Sequence, residues 1–125
     1  MVDGSALISV QNPLRLDAYN EPEPDFALLR PRADDYRSSH PEAADVLLLV
    51  EVSDSSLSYD RGIKLPLYAQ FGVTEVWIVD LVGAAVEAYR QPNEGAYASF
   101  QRLTSGSLTR VLLSGAMVDV AALLA

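Results

Sequence analysis

Several residue types that build common functional sites are scarce in this 125-residue chain or missing from it. It has no cysteine, which excludes disulfide scaffolds, cysteine-ligated zinc and thiol catalysis. Its single histidine, His40, cannot form a two-histidine zinc motif within one chain. Its apolar runs are far shorter than the roughly 20 residues that a membrane span needs. Because the N-terminal segment also lacks the basic region of a secretory signal, the sequence predicts a cytoplasmic protein without a membrane segment.

Negative charge is concentrated in the first half of the sequence. The chain carries 17 Asp and Glu against 9 Lys and Arg, a net charge of −8. Residues 1–60 contain twelve acids and four arginines, whereas residues 61–125 contain five acids and five bases. An acidic chain is a poor general ligand for polyanions, because phosphate affinity comes mainly from Lys and Arg. Clustered carboxylates bind hard divalent cations, although solvated acidic loops give the same composition.

The pattern of apolar and polar residues predicts a single mixed α/β domain over residues 1–125. The near-continuous apolar run at 46–52 is typical of a central strand that is buried on both faces. Further strands are predicted at 25–30 and 73–81, with 82–90 returning as a hairpin partner, and a second hairpin is predicted between 97–103 and 108–113. Helices are predicted from about Lys64 to Gly72 and over 119–125. Trp77 and Tyr68 fit core packing better than base stacking.

Two acidic residues stand where a carboxylate is costly. Asp25 opens a predicted strand directly after Pro24, and Glu51 interrupts the most apolar run of the chain. A carboxylate in a buried strand destabilises the fold by several kcal/mol unless it is paired, protonated or bound to a cation. The alternative is that the strand ends at a solvent-facing edge and that Glu51 simply emerges there.

Lys64, the only lysine of the chain, lies at the predicted start of the first helix. From that position its ammonium group can point back over the end of the strand, where it can position a water or stabilise charge on a phosphate. The alternative is an exposed lysine at the start of a helix. The combination of Asp25, Glu51 and this lysine around one predicted sheet favours a site.

Motifs in the same part of the chain resemble those of a known family. The segments that carry the resemblance are, in order, PEPDFALLR, LLLVEVSDSSLSYDRGIKLPLYAQFGVTEVWIVDL and VEAYR. They resemble the Uma-two family, restriction-endonuclease-like proteins of the PD-(D/E)XK nuclease superfamily, from about Val10 to the C-terminus. The resemblance implies an α/β fold with a mixed central sheet flanked by helices. It also implies a metal-dependent endonuclease that hydrolyses the phosphodiester bonds of nucleic acid, with DNA as the expected substrate.

The resemblance also implies a role for each residue singled out above. Asp25 and Glu51 match the two acids of the superfamily motif, which ligate Mg²⁺ or Mn²⁺ from adjacent strands. The position two residues after the second acid is Ser53 instead of lysine, so Lys64, displaced to the following helix, is the candidate replacement. The predicted catalytic residues are therefore Asp25, Glu51 and Lys64, and the two acids are the predicted metal ligands.

Members of this family usually begin with additional residues, namely an N-terminal helix and a hairpin that carries a further acid. This sequence has no counterpart of that part, so it predicts an N-terminally truncated version of the fold. The truncation would expose an edge strand, which favours either a homodimer or an unstable fold. The alternative function is therefore a catalytically silent nuclease-fold homologue that acts as a dimeric interaction module.

Overall fold

The computed structural model describes residues 7–54, 59–104, 110–113 and 116–119. Its strands are β1 (Leu7–Val10), β2 (Phe26–Leu29), β3 (Val46–Ser53), β4 (Glu75–Asp80), β5 (Ala85–Asn93), β6 (Ala96–Thr104), β7 (Arg110–Leu113) and β8 (Ala116–Asp119). Its helical elements are a 3₁₀ turn (Ala43–Asp45), a π-helical turn (Asp60–Lys64) and the helix α1 (Leu65–Gln70). Strands β1 to β6 form one sheet in sequence order, and β7 pairs with β8 in a second sheet. The predicted mixed α/β architecture is confirmed.

The crossover between β3 and β4 carries the helical part of the domain. These two strands are parallel, whereas the other neighbours in the larger sheet are antiparallel. A parallel pair needs a long connection, and the π-helical turn and α1 lie within it. Pro66 lies at the start of α1, directly after the π-helical turn, and its fixed φ suits the helical backbone there. In the described part of the chain no helix is long and apolar enough to cross a membrane.

Apolar side chains cover both faces of the central strands. On one face, called the α1 face below, Leu65 and Tyr68 of α1 pack in a cluster with residues of β3 and β4. On the opposite face a second cluster contains Leu48, Trp77, Val79, Val86, Ala88 and Leu103. Trp77 is almost fully buried there, in agreement with its predicted place in the core. The strands β3 and β4 are thus buried on both sides, as the continuous apolar run of β3 predicts.

The pairing of the C-terminal strands differs from the sequence prediction. The predicted hairpin between 97–103 and 108–113 is wrong, because β6 pairs with β5 and β7 pairs with β8. The turn between β5 and β6 consists of Glu94 and Gly95, whose φ angles of 51° and 79° allow a tight two-residue hairpin. In the predicted helix over 119–125, the proposed N-cap Asp119 is the last residue of β8, an extended conformation that an N-cap residue can have. The remaining residues of this predicted helix lie outside the described ranges.

Candidate active site

Glu51 is a buried carboxylate in the middle of the larger sheet. It lies on β3 between β2 and β4, beside Ile78 of β4, and only 2% of its surface is exposed. The alternative that Glu51 emerges at a solvent-facing edge is therefore wrong. Its neighbours on the same face of β3, Leu49 and Ser53, are fully buried as well. A carboxylate in such surroundings needs partners of opposite charge or hydrogen-bond donors.

The crossover segment supplies two of these partners. The Tyr68 hydroxyl donates a hydrogen bond of 2.6 Å to Oε2 of Glu51, and the Lys64 Nζ lies 3.4 Å from the same oxygen. Lys64 ends the π-helical turn and Tyr68 follows four residues later, so both side chains point to the same side of the helical segment. Tyr68 is buried, as predicted, but its hydroxyl also holds the carboxylate. The structure thus brings Lys64 and Glu51 together.

Asp25 adjoins this pair from the neighbouring strand. Phe26 pairs with Val50, so one further step of the antiparallel register places Asp25 opposite Glu51. The Asp25 Oδ2 accepts a hydrogen bond of 2.7 Å from the backbone N–H of Val52, the residue that follows Glu51. Because the Asp25 side chain is partly exposed, solvent and a hydrated cation can reach it. All three residues singled out in the sequence therefore lie around the same stretch of β3.

This donor set fits a hard divalent cation. Mg²⁺ prefers oxygen ligands, and proteins usually bind it through one or two carboxylates while it keeps several waters. Asp25 and Glu51 offer two carboxylates from neighbouring strands, one of them open to solvent. Among the described residues, no group of three or more His, Cys, Asp or Glu side chains is placed to hold a metal. A cation here would therefore take its remaining ligands mainly from water and substrate.

A second buried carboxylate, which sequence reasoning missed, lies on the same face of the sheet. Glu87 of β5 is 0% exposed, and a single strand, β4, separates it from Glu51. The Arg61 Nε donates to its Oε1 at 2.9 Å, and the Arg61 Nη2 donates to its Oε2. The Tyr89 hydroxyl donates to Oε1 at 2.8 Å. Arg61 belongs to the same π-helical turn as Lys64, so this turn contacts both buried glutamates.

Arg102 of β6 links Glu87 to a third buried carboxylate, Asp80. Its Nη1 donates to Oε2 of Glu87, and its Nη2 donates to Oδ2 of Asp80 at 3.0 Å. The backbone N–H of Gly83 donates to Oδ1 of Asp80 at 2.9 Å. A Cβ at Gly83 would meet both the Asp80 carboxylate and the Arg102 guanidinium, so the space there admits only glycine without rearrangement. Asp80 is the last residue of β4, and it also belongs to this charge network.

The hydrogen bonds of this network set the charge states of its acids. Burial alone raises the pKa of Glu87, but the hydrogen bonds from Arg61 and Tyr89 outweigh it and lower that pKa overall. The backbone N–H of Gly83 is the main cause of a lowered pKa at Asp80. Burial, with the Glu87 carboxylate beside it, raises the pKa of Tyr89 to about 12. Both carboxylates are therefore ionised at neutral pH, and the tyrosine keeps its proton.

A comparison with models of known families identifies the family of this chain. The model of the Uma2 family, described as "Putative restriction endonuclease", matches residues 2–121. The chain belongs to the Uma2 family. The resemblance found in the sequence motifs is thereby confirmed. No curated protein matches the chain.

A solved structure is similar to this chain in its fold. It is the crystal structure of a protein from Anabaena variabilis ATCC 29413, described as a putative nuclease belonging to DUF820. The two structures superpose with a TM-score of 0.66 at 12% sequence identity, covering 98% of this chain and 70% of the other. At this identity the likeness concerns the fold alone. It confirms the predicted nuclease-like α/β fold.

Proposed function

We propose that this protein is a metal-dependent endonuclease that hydrolyses phosphodiester bonds of DNA. The observation that carries the proposal is the buried Glu51 carboxylate, with the Lys64 Nζ 3.4 Å away and Asp25 beside it on the next strand. A pair of carboxylates with an adjoining lysine can serve several reactions of phosphates and carbonyls. The description of the Uma2 family as a restriction endonuclease supports phosphodiester hydrolysis among them.

Asp25 and Glu51 would hold Mg²⁺ or Mn²⁺, which supplies charge neutralisation of the phosphate and a more acidic bound water. The Tyr68 hydroxyl fixes one oxygen of Glu51 and so orients that carboxylate. The hydrogen bond from Val52 fixes Asp25 in the same way. These contacts hold the two carboxylates in one arrangement before substrate arrives.

Lys64 contributes a positive charge at the solvent side of this site. Its side chain is partly exposed, whereas that of Glu51 is buried, so the ammonium group lies between the carboxylate and solvent. From there it can donate a hydrogen bond to a phosphate oxygen or to the attacking water. A donor that stabilises charge developing in the transition state is worth about 10²–10³ in rate.

The second candidate is a catalytically silent dimeric interaction module, and one observation favours the lack of catalysis. The Glu51 carboxylate already receives a hydrogen bond from Tyr68 and pairs with Lys64. Within the ranges that the structure describes, no buried polar side-chain atom lacks a hydrogen-bond partner. The hydrogen bonds of Glu51 are therefore complete without a cation. This is expected if the interactions around Glu51 stabilise the fold and have no catalytic role.

Cleavage of a generic DNA duplex at low salt distinguishes the two candidates. The wild type, Glu51→Gln and Glu75→Gln are each incubated with Mg²⁺, Mn²⁺ or EDTA. Glu75 is the matched control, because its carboxylate pairs with Arg90 at 2.9 Å on the face of the sheet opposite the site. We expect metal-dependent cleavage by the wild type and by Glu75→Gln, and none by Glu51→Gln.

Two results would count against hydrolysis at this site. Cleavage that persists in EDTA or in Glu51→Gln would show that the activity does not use this carboxylate. A wild type that leaves the duplex intact with both metals, and that forms a dimer in solution, would support the interaction module instead.

A further inference from the structure

We propose that Arg61 and Arg102, called the arginine pair below, form a second contact with DNA that binds a backbone phosphate near the scissile one. The inference rests on the proposed function for the identity of its ligand. It assigns a role to two cations that the proposed metal site and its lysine do not use. The contact would be made to phosphate and would not depend on base sequence.

The positive charges of this network lie closer to solvent than the negative ones. The side chains of Arg61 and Arg102 are 43% and 36% exposed, whereas Glu87 is 0% exposed and Asp80 is nearly buried. Both guanidinium groups bond to the same oxygen, Oε2 of Glu87, so they lie side by side. An anion that approaches from solvent therefore meets two adjacent cations before it meets a carboxylate.

The arginine pair is also held in a fixed arrangement. Each guanidinium has five N–H groups in a planar fork, and the bonds to Glu87 and Asp80 occupy two nitrogen atoms of each. The remaining N–H groups match the oxygens of a phosphate, for which arginine gives two parallel hydrogen bonds. Because the carboxylates already restrict both side chains, phosphate binding costs little further rotamer entropy.

The arginine pair lies at a distance from the candidate site that suits a nucleic acid strand. Glu51, Glu87 and Arg102 occupy matching register positions on β3, β5 and β6, on the α1 face. Neighbouring strands are about 4.8 Å apart, so the backbone positions of the two glutamates are separated by about 10 Å. One DNA strand carries a phosphate for about every 3.4 Å along the helix axis. A strand with one phosphate at Lys64 therefore brings another within reach of the arginine pair.

Binding of a fluorescent DNA duplex in EDTA, followed across a range of salt concentrations, tests the inference. Arg61→Gln and Arg102→Gln should each weaken binding and lower the slope of log affinity against log salt by about 0.9, the value for one lost phosphate contact. The matched control is Arg90→Gln, which removes the same charge from an arginine that is 34% exposed, ion-paired to Glu75 and on the opposite face. Its slope should equal that of the wild type. Equal slopes for all three variants would overturn the inference.

Arginine modification of the unaltered protein provides a second readout that needs no variant to fold. Phenylglyoxal modification, mapped by mass spectrometry, should be slower at Arg61 and Arg102 when the duplex is present. It should proceed at Arg90 at the same rate with and without DNA. Protection that is equal at all three arginines, or absent at the arginine pair, would overturn the inference.

Because binding is measured without metal, its outcome is separate from that of cleavage. If the wild type cuts DNA and the variants of the arginine pair bind as Arg90→Gln does, this inference fails alone. If the wild type binds through the arginine pair without cutting, the proposed hydrolysis fails alone. A wild type that does not bind the duplex at low salt would overturn the inference.

Discussion

Glu51 and Glu87 are buried on the same face of the sheet, and one π-helical turn supplies a cation to each of them. Lys64 pairs with Glu51 on β3, and Arg61 pairs with Glu87 on β5. The two cations are three residues apart in the turn, so the crossover is tied to two different strands. Because a buried carboxylate that loses its partner is costly, these ion pairs resist movement of the turn. The candidate site is thus positioned by the same interactions that keep its charges compensated.

Replacement of Lys64 by alanine should separate metal binding from chemistry. The ammonium group is proposed to act on the phosphate or its water and not to hold the metal. Lys64→Ala should therefore leave Mg²⁺ affinity unchanged or slightly higher, since a nearby positive charge is gone. DNA cleavage should fall by about 10²–10³, the loss seen when one transition-state donor is removed. Calorimetric metal titration and single-turnover cleavage measure the two effects.

Two further variants complete this experiment. Asp25→Asn should lose metal affinity and activity together, because it changes a proposed ligand. Lys64→Arg keeps the charge and should retain more activity than Lys64→Ala. If Lys64→Ala cuts as fast as the wild type, the role proposed for this lysine is wrong.

Stability of the fold should decrease in acid because of the buried carboxylates. The pKa of Glu87 and that of Asp80 are both lowered in the folded state, below ordinary values of 4.5 and 3.8. Each carboxylate therefore adds stability at pH values above its unfolded pKa, and this stability is lost as pH falls through the folded pKa. The free energy of unfolding in urea should be nearly constant from pH 7 to about 5 and should fall steeply below about pH 4.5.

The Glu87→Gln variant identifies the source of this acid sensitivity. It removes the titrating group but keeps hydrogen-bonding atoms, so its unfolding free energy should depend less on pH below about 4.5 than that of the wild type. Glu94→Gln, at an exposed position in the turn between β5 and β6, is the control and should follow the wild-type curve. Parallel curves for Glu87→Gln and the wild type would contradict this interpretation of the network.

A side chain at position 83, in the turn after β4, should disturb the ion pair between Asp80 and Arg102. An alanine Cβ there would meet the Asp80 carboxylate and the Arg102 guanidinium, so one of them must move and their ion pair must weaken. Gly83→Ala should lower the free energy of unfolding by about 0.5–1.5 kcal/mol, the usual net value of one hydrogen bond, because Gly83 is exposed and the Cβ displaces a side-chain end of this ion pair. Gly62→Ala is the control, because a Cβ at that position meets no atom within 4 Å. Urea unfolding of both variants checks this, and equal stability of the two would contradict it.

The sequence predicted the parts of the fold that depend on local pattern. The apolar run at 46–52 identified β3 as a buried central strand, and the interruption of that run drew attention to Glu51. Pairing between strands is not local, and here the prediction failed. Strand periodicity indicated that 97–103 and 108–113 were extended, but not that β6 pairs with β5. The signal that could have shown it is Gly95, which completes the tight turn after Glu94.

The candidate site was also predictable only in part, because local pattern indicates single residues but not the partners that folding brings to them. Lys64 follows Glu51 by 13 residues and could be placed near it because it lies at the predicted start of the helix that follows this strand. Glu87 stands among apolar residues of β5 as Glu51 does on β3, so its burial left a signal in the sequence. Its partners did not, because Arg61 and Arg102 lie 26 and 15 residues away along the chain. Only the folded arrangement brings them to one carboxylate.

Calorimetric titration with Mg²⁺ and Mn²⁺ tests most directly whether Asp25 and Glu51 form a metal site. The wild type should bind either metal, and Asp25→Asn and Glu51→Gln should each lose most of that affinity, because each removes a carboxylate charge from the proposed ligand set. Glu75→Gln, altered on the opposite face, should bind as the wild type does. A wild type that binds neither metal at millimolar concentration, or a Glu51→Gln variant with unchanged affinity, would contradict the account.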